Sequence, residues 1–186
     1  MTRVAVFGGS FNPLHHAHVW AVAWALNSGA VDEVWVIPVF QHYFSKELAH
    51  YAHRFEMARL GMSIFKERVV VSDIEKRLGG TSRSLDTLQA LKEEHPEWAM
   101  RLLIGSDILK ETSQWHRFDE VEKLAPPLVL GREGYGGETV WELPNLSSTE
   151  IRARARSKED LSLWVPALVA DYISKHSLYC GSGDDS

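Results

Sequence analysis

The sequence predicts an α/β protein: a doubly wound parallel sheet of five or six strands, followed by a C-terminal helical segment. Two observations carry that expectation. Short β-branched runs alternate with longer amphipathic ones, which implies strand–helix–strand units with right-handed crossovers. The strand candidates are also mostly continuous apolar runs rather than strict alternations, as parallel strands covered on both faces must be.

Those candidates are 3–8 (RVAVFG), 33–38 (EVWVIP), 68–72 (RVVVS), 99–104 (AMRLLI) and 127–131 (PLVLG), with a weaker one at 138–142 (ETVWE). Between them lie helices. Val19, Val22, Ala23 and Leu26 share one helical face, and Ser28-Gly29 stops that helix. Tyr51, Phe55, Ala58, Met62 and Phe65 form the next stripe. Ser82 is expected to cap a helix over 84–94, with Leu85, Leu88 and Leu91 facing inward and His95-Pro96 ending it. From Ser147 to about Leu178 the period is helical, broken near Pro166, and the tail 181–186 (GSGDDS) has nothing to bury. With no internal repeat and no linker, residues 1–180 are expected to form one domain.

Composition narrows the function. A chain of 186 residues with 45% hydrophobic residues and seven Trp can bury a sizeable core. Its net charge of −5 argues against a general nucleic-acid binder, which would show a basic face. The stretch MTRVAVFGGS lacks the apolar centre of a signal peptide, and no run reaches the ~18 apolar residues of a membrane span. A single Cys180 leaves neither an internal disulfide nor a cysteine cluster for zinc. A soluble, cytoplasmic protein that binds neither nucleic acid nor membrane is expected. Trp20, Trp24, Tyr43 and Phe44 are open to two readings, a contact between subunits of a homo-oligomer or packing against the sheet.

In parallel α/β sheets, ligands bind beyond the carboxyl ends of the strands where strand order reverses, so the segments after each strand are the ones to read. After the first comes GGSFNPLHHAH, neither a Walker loop nor a G-x-G-x-x-G turn. Gly8 and Gly9 let backbone approach a ligand, and His15 and His18, at i and i+3, point to one side of a helix start whose free N–H groups favour an anion. A polyphosphate cradle is the functional reading. Solvent-facing histidines are the bland one, and a metal set completed by His50 and His53 is a third. After the second strand, Lys46 and Arg54 could each reach a phosphate or be surface charges. After the fourth, Gly105 allows close approach and Asp107 can accept from a ribose diol or simply sit at a helix start. Trp115 can stack on a heterocycle or pack in the core. In LSSTEIRAR, Ser147, Ser148 and Thr149 supply hydroxyls at a helix start with Arg152 one turn inside, either a capped helix or a second anion site.

Taken together these elements are specific. GSFNPLHHAH resembles the G-x-F-x-P-x-H-x-G-H pattern of the nucleotidyltransferase superfamily, and LSSTEIR is similar to its late I-S-S-T-x-x-R element. GGTSRSLDTLQAL (79–91), LIGSDIL (103–109), WHRFDEVEKLA (115–125) and VPALVADYISKHSLY (165–179) resemble nicotinate-nucleotide adenylyltransferases, so that the similarity runs to about Tyr179. Two places depart from the pattern. Ala17 stands where the family usually has Gly, and the 38–46 loop (PVFQHYFSK) lacks the P-P-H-K look of bacterial nicotinate enzymes and is closer in spacing to the nicotinamide branch.

The resemblance implies a Rossmann-like fold and a nucleotidyltransferase domain over 1–180. It implies attack by the 5′-phosphate of a pyridine mononucleotide on the α-phosphorus of ATP, with pyrophosphate leaving. A phosphomonoester with a second pKa near ~6 is already largely dianionic at neutral pH, so no general base is required. By that resemblance His18, His15, Lys46 and Arg152 are the catalytic set. Gly9, Ser10, Phe11, His15, His18, Gly105, Asp107, Ser147, Ser148 and Arg152 hold ATP. Lys46, Thr81, Ser82 and Trp115 hold the mononucleotide. Mg²⁺ is expected to ride on ATP, with no protein metal site. Nicotinate mononucleotide is the expected acceptor. Nicotinamide mononucleotide, and a nucleotide-binding regulatory module without turnover, are the alternatives.

Overall fold

A computed structural model describes residues 1–41, 48–80, 83–108, 115, 117–132 and 142–181. Among these residues six strands form one sheet: β1 (Arg3–Gly9), β2 (Glu33–Pro38), β3 (Val69–Val71), β4 (Ala99–Gly105), β5 (Pro127–Arg132) and β6 (Glu142–Leu143). Their order is β3-β2-β1-β4-β5-β6, and every pair is parallel. The five main strands lie where the apolar runs place them. The sixth was expected at 138–142; the described strand is Glu142–Leu143, and 138–141 lie outside the described residues.

The continuous apolar runs have a physical reason, because alternate residues feed two different cores. On β1, Ala5 belongs to one buried cluster while Val4 and Val6 belong to the other. On β4, Leu103 goes one way, and Leu102 and Ile104 the other. The first cluster is closed by α1 (His16–Asn27), α2 (Tyr51–Met62), α6 (Ser148–Arg156) and α7 (Ala167–Lys175). The second is closed by α3 (Ile74–Leu78), α4 (Ser84–Glu94) and α5 (Phe118–Leu124). Each Val, Leu or Ile fully buried in this way contributes about 1.5–3 kcal/mol, and so both faces of the sheet are committed to the interior.

The helix starts and stops are local chemistry. Helix α1 ends at Ser28, whose N–H bonds to the Trp24 carbonyl, and Gly29 follows at φ +73, a conformation that a β-carbon would oppose. Leu85, Leu88 and Leu91 of α4 are buried as the period requires, but its N-cap position is Arg83, with no side-chain cap; Ser82 lies outside the described residues. The C-terminal helical segment is two helices, α6 and α7, with residues 157–166 between them in turns. Helix α3 gave no periodic signal, since five residues hold barely more than one turn. Where α2 packs on α7 the contact is close: a β-carbon on Gly61 would overlap Leu14 and come 3.3 Å from Val169. Among the described residues no helix is long and apolar enough to cross a membrane.

Candidate active site

The neighbours β2-β1-β4 set the place of the site. The chain moves outward from β1 to β2 and β3, and then returns to the other side of β1 through β4. The crevice at the carboxyl ends of β1 and β4 is thus the switch point. A cavity there is lined by Gly8 of β1, by His15, Ala17 and His18 at the start of α1, and by Gly105 and Asp107 at the end of β4.

His15 is the N-cap of α1, 6% exposed, and His18 occupies the third helical position. Their rings stack at 3.7 Å between centroids, and His18 Nδ1 accepts the backbone N–H of His15 at 3.1 Å. Both imidazoles do point to one side, as their spacing predicts. The first-turn amides are more committed than expected, because His16 N–H donates to the Trp164 carbonyl at 3.0 Å and His18 N–H to the His15 carbonyl at 2.9 Å. No acidic residue lies in that first turn, so the positive end of the dipole is uncompensated.

Phe11 and Gly9 work from beneath. Phe11 is 2% exposed at φ +46, and its ring meets His18 edge-on at 5.0 Å and Phe7 at 5.5 Å. A β-carbon on Gly9 would sit 3.1 Å from the Phe11 ring. Gly9 therefore makes room for Phe11, and Phe11 backs the His18 imidazole. Across the crevice, a β-carbon on Gly105 would overlap the Asp107 carboxylate. Asp107 occupies a turn directly after β4, with the neighbouring Ser106 N–H bonded to the Leu130 carbonyl at 2.9 Å.

The late element docks on the first loop. Asn12-Pro13 is a cis peptide. The Asn12 carbonyl accepts from Arg152 Nη1 at 2.9 Å, and the Pro13 carbonyl accepts from Ser148 Oγ at 3.1 Å. Arg152 Nη2 donates to Thr149 Oγ1 at 3.2 Å. Ser147 is the N-cap of α6, its Oγ accepting from Thr149 N–H at 3.2 Å. The two serine hydroxyls thus serve the cap and the loop, and Arg152 is the cation of this element that reaches the first loop. Asn12, 2% exposed, also accepts at Oδ1 from the Tyr179 hydroxyl at 2.8 Å and from Ala49 N–H at 3.2 Å.

Other expected residues lie elsewhere. Arg54 is neither a phosphate-reaching nor a surface charge: it is 1% exposed and donates to four backbone carbonyls, and burial pulls its guanidinium below its ordinary pKa. His53 does not join His15 and His18; its Nδ1 lies 3.0 Å from the Tyr172 hydroxyl, and its ring 5.3 Å from His176. Trp115 packs edge-on against Phe118 at 5.8 Å, beside the second core. Trp20 is 46% exposed, whereas Trp24 is half-buried against the first core. Lys46, Thr81, Ser82, Tyr43 and Phe44 lie outside the described residues. Among the described residues no group of three or more His, Cys, Asp or Glu is placed to hold a metal ion.

The cytidylyltransferase-like family matches residues 6–154, a span that opens inside β1 and closes just past Arg152. The chain belongs to that family. Curated relatives that bear the name nicotinate-nucleotide adenylyltransferase match nearly the whole chain. The probable nicotinate-nucleotide adenylyltransferase of Anaeromyxobacter dehalogenans (strain 2CP-C) is 42% identical over 183 residues, 96% of this chain and 97% of that one. The nicotinate-nucleotide adenylyltransferase of Bacillus subtilis (strain 168) is 29% identical over 191 residues, 96% and 99% of the two chains. In fold, the chain superposes on the Plasmodium falciparum nicotinic acid mononucleotide adenylyltransferase complexed with NaAD with a TM-score of 0.81, at 22% identity and covering 96% of this chain and 98% of that one. The cytidylyltransferase-like span holds both motifs and Asp107. Helix α7 and Tyr179 lie beyond it, yet Tyr179 bonds to Asn12 in the first motif.

Proposed function

We infer that this chain transfers AMP from ATP to nicotinate mononucleotide, giving deamido-NAD and pyrophosphate, and that residues 1–180 act as one nucleotidyltransferase domain. The observation that carries the reading is the paired His15 and His18 at the switch point, facing Asp107 across the crevice. Relatives spanning the whole chain that bear the nicotinate enzyme's name support the choice of acceptor.

The 5′-phosphate of the mononucleotide attacks the α-phosphorus of ATP, the bond to the bridging oxygen breaks, and pyrophosphate leaves. The nucleophile is already ionised, so the protein's task is alignment and charge stabilisation. His18 accepts at Nδ1, so its neutral form carries the proton on Nε2, and we assign Nε2 to donate to a phosphate oxygen. Arg152 supplies a guanidinium at the β/γ end, and Lys46 is assigned there by its place in the sequence. Asp107 takes the ATP ribose diol, while Thr81, Ser82 and Trp115 are assigned to the pyridine side by the sequence. Mg²⁺ enters as part of the Mg-ATP substrate.

Pyrophosphate release with Mg-ATP tests the reading, run in parallel with nicotinate and nicotinamide mononucleotides. A kcat/KM at least tenfold higher with nicotinate mononucleotide is expected. The opposite preference moves the acceptor to the nicotinamide form, and ATP binding without turnover on either identifies a regulatory module.

A further inference from the structure

Arg54 is a buried cation that the reaction leaves unexplained. Arg54 is 1% exposed, and among the described residues no carboxylate accepts a hydrogen bond from its guanidinium. Its donors go instead to backbone carbonyls of three separate stretches. Nη1 donates to Ser10 at 2.9 Å and to Val39 at 2.7 Å, Nε to Ala49 at 2.9 Å, and Nη2 to Phe40 at 3.4 Å. Ser10 belongs to the loop after β1, and Val39 and Phe40 to the loop after β2. The two strand ends are also joined directly, Val39 N–H donating to the Gly9 carbonyl at 2.9 Å.

The Phe40 peptide is held from its other side by Glu75, which is 7% exposed; Oε2 accepts Phe40 N–H at 2.9 Å. Glu75 Oε1 accepts from Thr87 Oγ1 of α4 at 3.3 Å. Glu75 sits on α3, whose end leads at once into Gly79-Gly80 and the stretch assigned to the pyridine. A lysine could not replace the arginine here. The planar guanidinium offers five N–H donors in fixed directions, matched to carbonyls lying on different sides, whereas an ammonium offers three donors at one point.

We propose that Arg54 and Glu75 are positioning residues that tie the phosphate loop after β1 to the start of the loop after β2 and, through α3, to α4, so that both nucleotides bind to one shared frame. This rests on the adenylyl-transfer reading. Neither side chain touches a nucleotide; each acts through the peptides it holds.

Steady-state kinetics with Mg-ATP and nicotinate mononucleotide test it on Arg54→Lys and Glu75→Gln, with thermal melts to establish folding. The expected result is a KM at least fivefold higher for both nucleotides in Arg54→Lys, and at least threefold higher for both in Glu75→Gln. Partial unfolding alone would lower kcat through the active fraction and leave both KM values in place. If Arg54→Lys does not fold, the near-isosteric Glu75→Gln decides. A folded variant with either KM within twofold of wild type overturns the shared frame. Wild-type protein assayed alongside separates the two failures: a silent wild type overturns the adenylyl-transfer reading together with the frame, and an active wild type with unchanged variants overturns the frame alone.

Discussion

His18 Nδ1 accepts the backbone N–H of His15 at 3.1 Å, while the two rings stack at 3.7 Å. One bond thereby does two things, satisfying an amide at the helix start and fixing Nε2 as the ring nitrogen that carries the proton in the neutral form. The consequence can be tested by separating the two nitrogens. His18→Asn keeps a short acceptor near the Nδ1 position but has nothing where Nε2 lies. It should fold normally and lose about two orders of magnitude or more in kcat, as removal of a charge-stabilising donor does. His18→Ala should lose at least as much. An effect below threefold in single-turnover measurements would show that Nε2 does not meet the reacting phosphates.

A second prediction concerns the glycine opposite. Because a β-carbon on Gly105 would overlap the Asp107 carboxylate, Gly105→Ala should displace that carboxylate from the ribose diol the proposed reaction assigns to it. Asp107→Asn would keep its place and remove its charge. Both should raise the KM for ATP by about tenfold, equivalent to one lost hydrogen bond of about 1.4 kcal/mol. The KM for the mononucleotide should stay within twofold. A shift confined to the mononucleotide would reassign this side of the crevice.

The legible parts of this molecule are those whose signal is local. Strands β1, β2, β4 and β5 announce themselves because a strand buried on both faces is apolar throughout, edge strand β3 through three valines that are only half-buried, and His15 and His18 because i, i+3 spacing alone puts them on one side. The late element is legible as a capped helix, and Ser147 is indeed its cap. What was illegible depends on backbone acceptors, which leave no trace in side-chain letters. Arg54 reads as an ordinary charge because the carbonyls of Ser10, Val39 and Phe40 that hold it are distant in sequence or not visible as partners. Phe11 reads as a ligand-side residue, yet its buried ring supports His18. The hydroxyl of Ser148 reads as an anion donor and is bonded to Pro13, 135 positions away.

Acid titration offers a third test, far from the crevice. Arg3 and Asp32 join the start of β1 to the start of β2: Arg3 Nε donates to Asp32 Oδ2 at 3.1 Å, and Arg3 N–H donates to the same oxygen at 2.9 Å. The Arg3 side-chain bond, followed by its backbone N–H, lowers the Asp32 carboxyl from 3.8 to about 2. A depressed folded-state pKa stabilises the fold above the unfolded value, and that stabilisation is lost as pH falls from about 4 through 2. NMR titration should put the Asp32 midpoint near 2 in wild type and back toward 4 in Arg3→Ala. Both side chains are solvent-exposed, so the difference should shrink in 1 M salt.

The last prediction follows from the reach of the C-terminal segment. Tyr179 lies beyond the family's matched span, yet its hydroxyl donates to Asn12 Oδ1 at 2.8 Å, an oxygen shared with Ala49 N–H at 3.2 Å. The Asn12 carbonyl meanwhile accepts from Arg152. Tyr179→Phe deletes one donor without leaving the oxygen bare, since Ala49 remains, so the cost should be that of an ordinary hydrogen bond, about 1 kcal/mol. For a chain of this length that corresponds to a Tm lower by about 2–4 °C. The loss should be felt locally as well. Amide exchange at Ala49 should speed up, because Asn12 is no longer held in place from the opposite side, while the central strands keep their protection. Asn12→Ala removes the shared acceptor altogether, strands both donors, and should cost more than Tyr179→Phe. Equal melting temperatures for the two variants would mean that the Tyr179 bond carries the whole effect and that Ala49 N–H finds water instead.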